Sequence, residues 1–213
     1  MIRRLLTVTL LLAAATSCGG EVSIYRPPPP PVVDNVEGDV DDVGDPPDFT
    51  TCSQGWFASY YNLPPTHPDV EPLAASLPGV DPMTLDWWDA EYIAFEKYDP
   101  SLEFGANWWP VDEGIEDDPA YYSVKWNAWL RAYDDSNVEM VLAASSDAWI
   151  LLNDEVIASV EGSEEFEAIT INRQIDSGVY PIEIRFTHRM GAAGFRFRVA
   201  NGDVLICFPD FGE

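Results

Sequence analysis

From residue 121 onward the chain alternates. In Tyr121–Tyr133, Val124, Trp126, Ala128, Leu130 and Ala132 share one face of an extended segment, while Lys125, Asn127 and Arg131 take the other. Asp134-Asp135-Ser136-Asn137 has the composition of a turn, and Val138, Met140, Leu142 and Ala144 alternate after it. The same period returns at Ile169 and Ile171, at Ile182, Ile184 and Phe186, and at Phe195, Phe197 and Val199, each set interleaved with polar neighbours. Asn201-Gly202 predicts a hairpin into Val204–Phe208. Seven or more short strands with turns at this spacing predict an all-β antiparallel β-sandwich or jelly roll. No stretch carries a helical period beyond single turns between Val70 and Tyr92.

The first fifty residues follow a different logic. Arg3 and Arg4, the apolar run Leu5 to Ala15 and the small residues before Cys18 form the three parts of an export signal. That run is too short to span a bilayer, which needs roughly 20 apolar residues. Ala15-Thr16-Ser17-Cys18 resembles a bacterial lipobox, with Ala where such boxes usually carry Leu; the resemblance implies cleavage before Cys18 and lipidation of that cysteine. An ordinary signal with Cys18 incidental is the other reading. Gly19 after the cysteine leans, by resemblance to lipoproteins, towards the outer membrane or cell surface. Five consecutive prolines (Pro27 to Pro31) and a tract rich in aspartate then keep the chain extended. The expected organisation is a lipoprotein signal peptide over 1–17, a lipid-anchored disordered stalk over 18–51 and one folded domain over 52–213. A proline-rich recognition motif is the alternative for the tract.

Charge narrows the partners. Eleven Lys and Arg stand against 37 Asp and Glu, a formal net charge of −26, so nucleic acid is excluded, because binding it requires basic side chains at the phosphates. An anionic membrane surface is disfavoured on the same ground, leaving the lipid anchor as the contact with membrane. The stalk holds eight of the acidic residues, so most of the acidity belongs to the folded domain. With Cys18 assigned to lipid, Cys52 and Cys207 remain, one at each end of the domain; in an oxidising compartment the pair predicts a disulfide between first and last strands. No CxxC or Cys–His cluster indicates zinc.

Ordered motifs along the domain resemble those of the protective-antigen-type (PA-14-type) β-sandwich, and especially its fibro-slime relatives. Trp56-Phe57-Ala58-Ser59-Tyr60-Tyr61-Asn62 is similar to the first strand, and His67-Pro68-Asp69-Val70-Glu71 to the HPDFE segment. Trp108-Trp109-Pro110-Val111-Asp112 resembles FFPID, and Ser123-Val124-Lys125-Trp126 resembles SVRW. Asp147 to Asp154 (DAWILLND) is similar to DVWVFIN, and Gly178 to Ile182 and Gly194 to Phe197 resemble the closing region. The sugar-binding members of that family hold Ca2+ with two adjacent aspartates, joined by a cis peptide, before the DVWVFIN-like strand. Anchored on Trp149 and Asn153, those positions here are Ser145 and Ser146, and only Asp147 remains; a shift of one residue keeps one aspartate of the pair. The resemblance therefore leaves a weaker oxygen site at Asp147, Asn153 and Asp154, with Ca2+ at Asp147 and Asp154 as the expected metal. The other reading has Asp147 and Asn153 shaping turns through bonds to backbone.

A metal-independent route runs through Trp87-Trp88 and Trp108-Trp109. Neighbours on extended backbone face opposite ways, so Trp88 and Trp109 are candidates for sugar stacking, against the alternative that both pairs pack beneath loops. Trp126 and Trp149 fall at strand positions that the resemblance assigns to the core. Glu103, Asp112, Glu113, Glu116, Asp117 and Asp118 offer carboxylates for a glycosidase pair, but in so acidic a chain such pairs arise by chance. His67 and His188 lack metal-binding spacing, His67 reads as local structure, and no hydrolase or nucleotide motif occurs, so no enzyme is expected. The expectation is a cell-surface binding module of the bacterial envelope that recognises carbohydrate or extracellular matrix. The alternative is a structural or protein–protein interaction module of the envelope with no sugar affinity.

Overall fold

A computed structural model describes residues 48–50, 52–64, 67, 81–106, 108, 122–161, 166–188 and 193–208. The signal over 1–17, the lipid site Cys18 and nearly all of the 18–51 stalk lie outside the described residues, as do Trp109 and the acidic run from Asp112 to Asp118. The strands are β1 (Ser53–Gln54), β2 (Trp56–Asn62), β3 (Ile93–Asp99), β4 (Leu102–Gly105), β5 (Tyr122–Ala132) and β6 (Ser136–Ala144). After them come β7 (Ala148–Leu152), β8 (Glu155–Val160), β9 (Glu167–Ile175), β10 (Gly178–His188), β11 (Phe195–Asn201) and β12 (Val204–Phe208). Single 3-10 turns at Pro82–Thr84, Asp86–Trp88 and Ala90–Tyr92 are the only helical pieces among the described residues.

The strands form two antiparallel sheets. The large one runs β1-β12-β5-β10-β7-β8; β2 pairs with the first half of β5, and β3 lies outside β2. The small one runs β4-β11-β6-β9. Alternation explains the layering: Val124, Trp126, Ala128, Leu130 and Ala132 meet Val138, Met140, Leu142, Ala144, Phe195 and Phe197 between the sheets, all buried. Trp126 stacks on Phe195 at 4.6 Å between centroids, and Trp108 on Phe104 at 4.2 Å. The expected all-β sandwich is present.

One polar group is built into this core. Asp99 Oδ2 accepts from Tyr60 O–H at 2.6 Å and from Trp126 Nε1–H at 2.9 Å, while Lys97 Nζ lies 3.2 Å from Oδ1. Burial first, and the adjacent carboxylate second, push the Tyr60 phenol far above its ordinary pKa. A buried carboxylate with donors on both oxygens meets the requirement for placing charge in an apolar interior.

The turn between β5 and β6 occupies 133–135 and so ends earlier than composition indicates, because β6 already starts at Ser136. A larger difference concerns Asn201-Gly202. β11 belongs to the small sheet and β12 to the large, so the dipeptide makes a corner between layers and not a hairpin. Gly202 has φ 129°, and a Cβ there would stand 3.1 Å from a Val138 methyl, so the close crossing over β6 itself requires glycine. Across from that corner, Tyr133 N–H donates to Asp203 O. The dipeptide signals a tight reversal but not which sheet receives the next strand.

Cys52 and Cys207 form the expected disulfide, with Cα atoms 5.7 Å apart. It fastens the two-residue β1 to β12, where Gln54 stands opposite Cys207.

Candidate functional site

The large sheet turns a second face away from the sandwich core, and residues 81–93 cover part of it. Trp87, Trp88, Leu85 and Tyr92 pack there on Tyr61, Trp149 and Leu151. Asp81 caps the first turn by accepting from Met83 N–H. His67 Nε2 lies 3.1 Å from Asp86 Oδ1, and its ring sits edge-on to Trp87 and Tyr92, a local structural role. Arg185 locks the cover to the sheet: its NH1 donates to Pro82 O at 2.7 Å, its Nε donates to Glu183, and the guanidinium lies over Trp88. Trp88 is therefore 7% exposed and has no open face for a sugar. Extended backbone would turn one tryptophan of the pair outward, but Asp86–Trp88 is a 3-10 turn, in which neighbours do not take opposite faces.

The loop before β7 is tied down by hydrogen bonds. Ser145 N–H donates to Gly194 O at 3.0 Å, and Gly194 N–H donates back to Ser145 Oγ at 2.8 Å. Asp147 is fully buried, and its carbonyl accepts from Thr187 N–H at 2.9 Å and from Thr187 Oγ1. Asn153 and Asp154 lie beyond the other end of β7, with φ 52° and 63°, the two left-handed central positions of a type I′ hairpin into β8. Their sequence signal was a turn signal. Five strand residues separate Asp147 from Asn153, about 17 Å of extended chain. Ca2+ needs its oxygens at 2.3–2.6 Å from one point. The expected metal pair Asp147 and Asp154 is thus corrected: the two cannot serve one cation, and the Ser145 hydroxyl is already bound to backbone. Among the described residues no three His, Cys, Asp or Glu side chains gather as a metal cluster.

Beyond the cover, the same outer face presents a row that crosses four strands. Tyr98 on β3 stands opposite Phe57 on β2, Phe57 opposite Asn127 on β5, and Asn127 opposite Glu183 on β10. Phe57 also stacks on Phe208 at 5.3 Å with the rings near parallel. Tyr98 is 43% exposed and lies against Gly55, where a Cβ would fall 2.4 Å from the phenol oxygen; Gly55 has φ 140°. Only glycine lets the ring lie there. Aromatic surface beside an amide and a carboxylate offers both stacking and hydrogen bonding to one hydroxylated ligand. Asn127 was legible in sequence as a polar-face residue, whereas Tyr98 was not, because IAFEKYD has no clean alternation to place its face.

No protein-family model matches the chain, and no curated protein does. Solved structures share its fold. A PA14 sugar-binding domain from an RTX adhesin superposes with TM-score 0.52 at 14% identity, over 74% of this chain and 99% of that one. An engineered epithelial adhesin A domain from Candida glabrata, solved with beta-lactose, gives 0.51 at 12% identity, over 80% and 95%. An anti-sigma factor domain-containing protein gives 0.51 at 14% identity over 76% of this chain, which spans about half (49%) of that protein's length. The sandwich is PA14-like.

Proposed function

We propose that this PA14-like sandwich is a non-catalytic binding module of the bacterial cell surface that recognises carbohydrate, exported by its N-terminal signal and anchored through lipid on Cys18. The observation that carries the reading is the correspondence of the described fold with nearly the whole of a PA14 sugar-binding domain, 99% of its length. The row Tyr98–Phe57–Asn127–Glu183 supplies the chemistry: Tyr98 stacks on an apolar sugar face and Asn127 bonds its hydroxyls, beside the Glu183 carboxylate, one oxygen of which Arg185 holds. This mode needs no calcium; it does not draw on Asp147 and Asp154, which lie beyond opposite ends of β7.

A glycan array probed with the purified chain, with and without a chelator, tests the reading. Binding should survive chelation and fall about tenfold or more for Tyr98→Ala, the loss of one stacked ring being worth on the order of 1–2 kcal/mol. Silence across the array at high protein density would overturn it in favour of an envelope interaction module without sugar affinity. Binding abolished by chelator would instead put the metal back and remove the aromatic row.

A further inference from the structure

Sheet edges expose unpaired backbone donors and acceptors, so how each edge is protected indicates whether a partner is expected there. Most edges of this fold are blunted. β1 has two residues and β4 four. β3 carries Lys97 and is irregular against β2 at Tyr60/Tyr61, and β8 is bent by an irregularity at Ile150/Leu151. β9 is different. Its nine residues pair with β6 in unbroken register from Ser136↔Ile175 to Ala144↔Glu167, and among the described residues nothing pairs with its other side. It contains neither proline nor lysine and centres on Ile169, Thr170 and Ile171, residues suited to a paired strand.

The order of side chains is what names the partner. Reversed about Thr170, the segment Glu167-Ala168-Ile169-Thr170-Ile171-Asn172-Arg173 sets Glu167 opposite Arg173, Ala168 opposite Asn172 and Ile169 opposite Ile171. Both charges find an opposite charge and both isoleucines an apolar neighbour, on the same face. Centring on Ile169 or Ile171 leaves Glu167 facing Ile171 or Ile175 and loses both ion pairs. Glu167 is exposed, and Arg173 meets Glu155 at 3.1 Å across the open side of the sandwich, its one ion pair among the described residues and a solvated pair of the kind that contributes little.

We propose that β9 is a dimerisation edge, where two copies of this chain pair antiparallel about a two-fold axis at Thr170 and join their small sheets into one. The interface is isologous, so closure at two copies follows from the symmetry. It lies in the small sheet, whereas the Tyr98 row lies on the large one, so each dimer presents two ligand faces and gains avidity on a multivalent surface.

Sedimentation velocity of the full chain in physiological salt, over a range of micromolar concentrations, tests this without any glycan. The expected result is a monomer–dimer equilibrium. Glu167→Arg and Arg173→Glu, each placing like charges opposite, should raise the dissociation constant about tenfold or more, and the double exchange should restore pairing. Unchanged thermal unfolding of each variant would exclude misfolding as the cause. Thr170→Lys, on the solvent side of the edge, should also give monomer. A wild-type chain monomeric throughout, a dimer indifferent to both single exchanges, or no rescue by the double exchange would each overturn the proposal. Protection of β9 amides only on addition of another protein would do the same.

Discussion

Two buried ionisable residues illustrate opposite solutions to the same cost. Asp99 meets it with partners: a phenol, an indole and a lysine surround its carboxylate. His188, at the end of β10 opposite Tyr122, is held neutral: burial lowers its pKa from 6.5 to about 4. Between those values the unfolded chain binds a proton that the fold refuses, so stability falls as pH drops through the window. The loss reaches up to about 3 kcal/mol, and below about pH 4 both states titrate alike. Urea midpoints followed from neutral pH down to 4 should therefore decline, and decline less in His188→Phe. The difference between the two curves separates the imidazole from the many surface carboxylates. Parallel curves would remove His188 from the account.

Among the elements, those with one buried and one polar face were readable from the chain. β5, β6, β10 and β11 each show the period of two in sequence; burial follows it in the first half of β6 and the start of β11, whereas most of β5 and the end of β10 are buried on both faces. β3 and β8 were not, since half-covered strands of short length carry mixed patterns such as EVIASV. The pairing of Trp87 and Trp88 was illegible for another reason: whether neighbours diverge depends on local helicity, and the single turns expected between Val70 and Tyr92 carry no signal that fixes their position to the residue. The candidate site suffered most, because its residues come from four strands and only the cross-strand register brings them together. The β7–β8 hairpin gives an element-scale prediction. Asp154 occupies a left-handed position at φ 63°, which costs a non-glycine residue about 1 kcal/mol. Asp154→Gly should raise stability by somewhat under that amount in denaturant unfolding, and a loss of stability would mean that its carboxylate supports the turn.

For the whole molecule, the disulfide spans 155 residues and so constrains nearly the entire folded domain. In the chain-entropy account a loop of that size contributes about 5 kcal/mol. Reduction should lower the midpoint of thermal unfolding by roughly 10–20 °C at a domain of this size. A midpoint unmoved by reductant would show that the unfolded chain is not the state being restrained. Acidity acts in the opposite direction, since a net charge of −26 makes the compact state repel itself.

The same bond also decides how the domain carries load. A pull arriving from the N-terminal side reaches Cys52, and there it passes through sulfur to Cys207 on β12 before it can open β1. From β12 it spreads into β5, whose other edge is bonded to β10 along its whole length. The covalent link thus turns a strand that could be peeled one hydrogen bond at a time into a clamp that must shear several at once. In the surface role proposed above, that clamp would keep the domain folded while it is pulled.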